Sequence, residues 1–491
     1  MNDSQSRTSP LAIALFAVAL CLVCSVMILG NSNTDRNSLS AEGIVAAFCL
    51  LAVPIVLVAS RKELRLNPLH PISLLALITT LYYSLRGLEL AFGFATVPQQ
   101  GTPERHLVAG CLLITVTVVL YFAGFYSKFG VEVAQRIPIF YFPAKDFADR
   151  ELWVALIPPY VLGWMSRLFL LSAGVFHFQR ALPQIVQQFS ALLNDVYAFA
   201  FYAYLMAVGL AIKGRAPRSV AIGAGALELG YGLSYGGGTA IFLPLAGAVM
   251  LYSYYRRPLR WTSVIAVFLI AIVVIAPFAY LYRYTYAEYV GESGTPGLSS
   301  VVGSVERSID RLSDVTEYRA LLLYRLAQLD ATLIALDRVP SVLPFQWGGT
   351  FVPQIIASPI PRVFWPNKPT ISTGRRFAME FYDDPNPDEE VGSNSSIGHA
   401  AELYYNFGVL GLSLCFVIGI FIRFLWLRTE FLMKAECEAA PRIWFVLLTA
   451  PSINLVLAMY FTTLARGAIV LLLFLTIVYR RLPTKAYLHH D

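Results

Sequence analysis

The sequence predicts an all-α, polytopic membrane protein of about 12 transmembrane helices, with one large outer loop between spans nine and ten. Composition is the first observation behind this. Of 491 residues, 57% are hydrophobic and only 14% charged, where a soluble domain carries roughly 25% charge. The second is that apolar runs of about 20 residues, the length that crosses a bilayer, recur along the whole chain. The third is a single long polar insert near residues 283–404. No alternating ten-residue pattern points to a barrel.

The runs fall at 11–29, 43–60, 71–92, 107–127, 152–174, 195–212, 218–234, 237–255, 262–282, 405–427, 441–463 and 466–480. The first lacks a small-x-small cleavage site, so a retained helix is expected in place of a signal peptide. The run YGLSYGGG at 231–238 interrupts the seventh and eighth. Cysteines 21, 24, 49, 111, 415 and 437 lie mostly within apolar runs. Apart from Cys21 and Cys24 they show no metal-ligand spacing, and they read as small packing residues.

Lysine and arginine set the orientation. With a cytoplasmic N-terminus, the inner segments carry 21 basic residues and the short outer loops only 4. That asymmetry is what the positive-inside rule expects, so the net charge of +6 orients loops and does not imply nucleic acid as a partner. Both termini are then cytoplasmic. Residues 1–282 form spans one to nine, 283–404 an outer loop of about 120 residues, and 405–491 spans ten to twelve with a tail. The loop holds 10 basic and 15 acidic residues and is too long for a passive connector.

Four charges fall inside spans: Arg86, Glu89, Arg167 and Glu228. A charge in hydrocarbon costs about 2.5–3.5 kcal/mol or more, so such residues are paired or functional. All four lie in the outer half of the bilayer, which suggests a polar cavity beneath the loop. Neutralisation within the pairs Arg86–Glu89 and Arg167–Glu228 accounts for them equally well.

Within the loop, residues 301–338 read as helix in two pieces, broken near Ser313 and ended by Val339-Pro340. The helix carries Arg307, Arg311, Arg319 and Arg325. Arginines suit bidentate phosphate contacts; an amphipathic surface helix is the plainer reading of Arg307 and Arg311. Next, SPIPRVFWPNKP at 358–369 packs four prolines, Phe364, Trp365, Arg362 and Lys368 into twelve residues. The prolines stiffen it. Trp347, Phe364 and Trp365 offer faces for sugars or anchors for a membrane. A helix beginning near Ile397, capped by Ser395 or Ser396, places His399, Glu402 and Asn406 on one face. His399, the loop's only histidine, is the first candidate base, with Glu402 as its orienter or as the base itself. Asp383, Asp384, Asp388, Glu389 and Glu390 read as a hydrated loop broken by Pro385 and Pro387, so neither a metal nor another cofactor is expected.

PRVFWPNKP resembles the signature of bacterial O-antigen and oligosaccharide-repeat-unit polymerases (Wzy type). The stretches SNSSIGHAAELYYNFGVLG at 393–411 and LYYSLRGLELAFG at 81–93 are similar too, and together these cover about a third of the chain. One departure is that SYGGGTAIFLPL stands where members often carry a Gly-Ser-Arg-Gly-like turn. A phosphate contact there falls to backbone amides or to Arg466. The resemblance implies a metal-independent glycosyltransferase in the bacterial inner membrane. It would join undecaprenyl-pyrophosphate-linked oligosaccharides at the periplasmic face, beside a flippase and a chain-length regulator. Arg86, Arg319, Arg325, Arg362, Trp365, Lys368 and Arg466 would hold pyrophosphate or sugar, and His399 or Glu402 would take the proton.

Two other classes stay open. A ligase or another lipid-linked-sugar transferase is the nearer, although transferases with acids in the first outer loop find only Asp35 and Glu42 here. A lipid-linked oligosaccharide transporter would show repeat symmetry and would not need so long a loop.

Overall fold

The computed structural model describes residues 41–92, 104–136, 149–172, 184–235, 238–256, 259–312 (without 276, 280, 283–284, 287 and 289–297), 328–357, 360, 365, 373–382, 397–434 and 457–480. Among them 89% are helical and none is in a strand. Four helical stretches are long and apolar enough to cross a membrane: Ala41–Ser60, Leu107–Phe125, Asp195–Lys213 and Gly398–Thr429. Three shorter apolar helices accompany them.

Helix α1 is Ala41–Ser60. Pro71–Thr79, a π-helical turn Thr80–Ser84 and Leu85–Ala91 run on as α2. The π turn adds a residue to the ladder and so rotates the face that follows it, the face that carries Arg86. Then come α3 (Leu107–Phe125), α4 (Asp149–Ser172), α5 (Gln184–Lys213), α6 (Arg218–Tyr235), α7 (Gly238–Tyr255) and α8 (Trp261–Ile270). The polar insert supplies α9 (Leu298–Leu312), α10 (Gln328–Arg338) and α11 (Thr373–Tyr382). Helix α12 (Gly398–Phe407) passes through a 3₁₀ turn, Gly408–Leu412, into α13 (Ser413–Lys434), and α14 is Leu457–Arg480.

Three boundaries differ from the apolar runs. Helix α5 starts at Gln184, because its polar first turns continue the helix beyond the apolar length. The helix leading into the tenth run starts at Gly398, so His399 and Glu402 stand on the same rod as a candidate span. Helix α14 runs unbroken through residues 464–465, where two spans were expected to part. No proline interrupts FTTLARGA, and one glycine costs a helix only about 1 kcal/mol. Arg466 therefore stands inside a helix, two residues into its apolar part Leu464–Val478. The first run and residues 441–456 lie outside the described residues.

One core runs from α2 and α3 through α5 to α13 and α14, joining Ile72, Tyr121, Phe125, Tyr202, Leu403, Trp426 and Phe474. Two glycines bring α3 and α13 into backbone contact. A Cβ at Gly124 would overlap the carbonyl of Phe416, and one at Gly419 would overlap that of Tyr121. Small residues at such crossings let helices pack without side chains between them. Gly419→Ala is expected to cost about 1–3 kcal/mol by overpacking, read as a lower melting temperature in detergent micelles. Gly223→Ala, whose Cβ meets open space, should melt no lower than wild type; equal melting of both variants would overturn the crossing argument.

His70 stands just before α2. It accepts the Ile72 N–H on Nδ1 at 3.3 Å and so caps the helix, with Pro71 behind it at the first helical position. Its ring packs on Phe125 and Trp426. Burial, helped by Arg423, lowers its pKa from 6.5 to about 3. Protonation would also remove the Nδ1 acceptor. The unfolded chain therefore binds this proton first as pH falls, so the stability His70 contributes is whole above about 6.5 and is lost progressively toward 3. His70→Phe is expected to lower stability at neutral pH through the lost cap but to flatten the fall in melting temperature between neutral and mildly acid buffer. An unchanged slope would assign that fall elsewhere.

Candidate functional site

Arg86, buried to 2% exposure, meets Asp330 in a two-pronged ion pair: Nε to Oδ1 at 2.9 Å and Nη2 to Oδ2 at 2.8 Å. Its Nη1 donates to Glu89 Oε2 at 2.7 Å, one turn along α2. Asp330 is fully buried in the first turn of α10. The paired geometry is the strongest a guanidinium makes. It ties α2 to a helix of the insert across 244 residues of sequence.

Helix α12 packs beside α10, with Ala400 in the core of Leu329 and Leu333 and Ala401 in that of Ala331 and Ile334. His399, Glu402 and Asn406 are all buried on it, Glu402 and Asn406 completely. Thr350 Oγ donates to Glu402 Oε1 at 3.1 Å. Asn406 Nδ2 donates to Thr350 Oγ and to the Glu402 carbonyl, each at 2.7 Å. The Gly348 N–H closes the circuit on Asn406 Oδ1 at 2.9 Å. His399 Nδ1 lies 3.3 Å from the Tyr121 hydroxyl of α3.

The loop over this circuit is fixed from both sides. The Gln346 and Trp347 amides donate to the Tyr405 and Asn406 carbonyls, occupying acceptors that the end of α12 leaves open. Gly408, at φ 63, ends that helix, and Phe345 lies where its Cβ would point. Trp347 holds φ 49, a left-handed conformation that costs a side-chain-bearing residue about 1–2 kcal/mol. On the far side, Glu380 of α11 accepts from Arg376 Nε and from the Tyr405 hydroxyl, both at 2.7 Å.

Of the residues singled out in the sequence, Arg86, His399 and Glu402 gather where α2, α3, α10 and α12 converge. Arg466 is elsewhere, paired with Asp195 of α5. Trp365 is partly exposed at 37%. Arg319, Arg325, Arg362 and Lys368 lie outside the described residues, as does the acidic run 383–390. Of the two plainer arginines, Arg307 is exposed on α9 and Arg311 pairs with Glu288 at 3.1 Å. Asp330, Thr350 and Tyr121 escaped sequence reading. Asp330 alone carried a signal, as an acid on the otherwise apolar Leu329–Leu333 face. At the loop's rim the Arg105 hydrogen bond, aided by His106, holds the Asp337 carboxyl below the usual carboxylate range. Among the described residues no cluster of metal-ligating side chains forms.

The second buried ion pair singled out in the sequence is separate. Arg167 of α4 reaches Glu228 of α6 through Nη1 at 2.6 Å and Nη2 at 2.9 Å, both residues being nearly inaccessible. Trp164, Tyr197 and Tyr231 enclose the guanidinium, with ring centroids 4.4–5.5 Å from its carbon. Cation–π contacts of this kind help to offset desolvation. Neutralisation thus accounts for these two charges.

A family model for a domain of unknown function, DUF8712, matches residues 161–433, more than half of the chain. The chain belongs to the DUF8712 family. Neither a curated protein nor a solved structure matches it. The DUF8712 region takes in the Arg167–Glu228 pair, the whole polar insert, α12 and nearly all of α13, and leaves Arg86 and Arg466 outside.

Proposed function

We propose that this DUF8712 protein is a glycan polymerase of the bacterial inner membrane, acting on polyprenyl-pyrophosphate-linked oligosaccharides at the periplasmic face. In this reading the chain has twelve spans, cytoplasmic termini and a periplasmic insert. A hydroxyl oxygen of one repeat unit bonds to the anomeric carbon of the sugar on a second carrier. The bond from that carbon to the pyrophosphate oxygen breaks, and undecaprenyl pyrophosphate leaves with the electron pair. The hydroxyl proton passes to Glu402 or His399. Cations stabilise the charge growing on the leaving group. Arg86 commits its donors to Asp330 and Glu89, so it anchors the site, and Arg319, Arg325, Arg362 and Lys368 take the pyrophosphate. A flippase supplies the units and a chain-length regulator acts beside the enzyme.

The observation that carries this reading is the pairing of a buried imidazole and a buried carboxylate one turn apart on α12. They lie beneath a loop that leads, a few residues on, into PRVFWPNKP. Burial of ionisable groups at one place marks candidate catalytic sites. His399→Ala and Arg362→Ala, each expressed in a strain lacking the native gene, test it. Both are expected to reach wild-type protein levels and to leave surface polysaccharide as single repeat units on gels. Wild-type chain lengths in both would remove the assignment.

A further inference from the structure

We propose that the loop around Trp347, together with the Gly408–Leu412 turn, is seated in the lipid of one membrane leaflet, with Trp347 as its interfacial anchor. The exposed side chains are the first reason. Trp347 is 75% exposed, Val409 70%, Leu410 83% and Ile356 63%. Trp347 packs edge-on against Phe407, the residue before the turn, and Gly348 abuts Val352. Exposed apolar patches of this kind mark an interaction surface.

Charge says which partner covers it. Residues 341–357 contain no charged side chain, nor do 403–422, although the insert 283–404 holds 25 charges. A water-facing segment or a phosphate site would not exclude charge so thoroughly. A sugar platform would set free polar side chains around the ring, whereas the exposed residues of 342–356 besides Trp347 are Val342, Pro344, Val352, Pro353 and Ile356, and Gln346 is engaged by Pro344 and Arg376.

Geometry says where the surface sits. The candidate span Gly398–Thr429 is uncharged over residues 403–422, about the length that crosses a hydrocarbon core of about 30 Å. The Gly408–Leu412 turn lies in the half of that stretch away from Arg423, toward one headgroup layer. Leu410 on the turn and Val417 on α13 are both exposed, at 83% and 56%, so exposed apolar side chains continue from the turn onto the candidate span. Tryptophan is enriched at that depth because its ring has an apolar body and one polar N–H. The left-handed backbone at Trp347, held by the bonds from residues 346, 347 and 348 to α12, directs the indole outward at a cost that the lipid contact offsets. This inference does not depend on the polymerase reading.

The test uses the full chain reconstituted in phosphatidylcholine vesicles, with and without bromine on the acyl chains. Subtracting the emission of Trp347→Phe from that of wild type isolates Trp347. Its spectrum is expected to be blue-shifted, strongly quenched by brominated lipid and little affected by aqueous acrylamide. Leu410→Trp, compared with wild type, gives an independent probe with the same expectation should Trp347→Phe fail to fold. Red-shifted emission quenched by acrylamide and not by bromine would overturn the proposal, and would leave Trp347 to an aqueous ligand such as a glycan.

Discussion

Replacing Arg86 with methionine is expected to destabilise the folded chain by about 3–5 kcal/mol, because it leaves a fully buried carboxylate at Asp330 without its guanidinium. Forming the pair gains little, since both ions are first stripped of water. Breaking one side of it leaves that desolvation uncompensated. The consequence is specific: Arg86→Met with Asp330→Leu should recover most of the loss, because two apolar groups of similar volume replace two ions. Glu89 is 15% exposed and tolerates the change better. Thermal unfolding in detergent micelles of wild type, each single variant and the double variant measures the coupling. Additive losses in the double variant would show that the pair is not the latch between α2 and α10.

Glu402→Gln is expected to leave the melting temperature close to wild type while lowering polymer formation by about 10²–10⁴-fold, the range a positioned general base contributes. A glutamine keeps the oxygen that accepts from Thr350 and keeps the volume, so the circuit through Asn406 and Gly348 survives. What it loses is the ability to take a proton. Thr350→Val tests the same circuit from outside: it removes the donor to Glu402 and the acceptor for Asn406 at once, whereas Thr350→Ser keeps both. The polymer ladder and the melting curve are read together. Full-length polymer from a well-folded Glu402→Gln chain would pass the base role to His399.

What could be read beforehand follows from the range of each interaction. Spans such as 43–60 and 107–127 were legible because a bilayer demands apolar length, and α1 and α3 lie on them. Boundaries slipped where helices outrun the apolar stretch, as at Gln184 and Gly398, or where a single glycine leaves the helix unbroken, as at Gly467. The shared face of His399, Glu402 and Asn406 was legible because helical spacing is local. The partner of Arg86 was not: Asp330 is 244 residues away, and the nearer Glu89 already satisfied the expectation of a neutralising charge. Thr350 and Tyr121 carry neutral hydroxyls of a common kind, and only tertiary contact sets them apart. The arginines and the lysine expected at pyrophosphate lie outside the described residues, so their geometry adds nothing to the sequence argument.

The glycine contact between α3 and α13 has a reach beyond packing. The Tyr121 backbone is what Gly419 touches, and the Tyr121 hydroxyl is what His399 meets. The spacing of two rods is thereby transcribed into the position of one imidazole. A methyl group added at that contact would be felt as a displaced ring on α12 before it was felt as a lost fold, so mild defects there should resemble defects of chemistry.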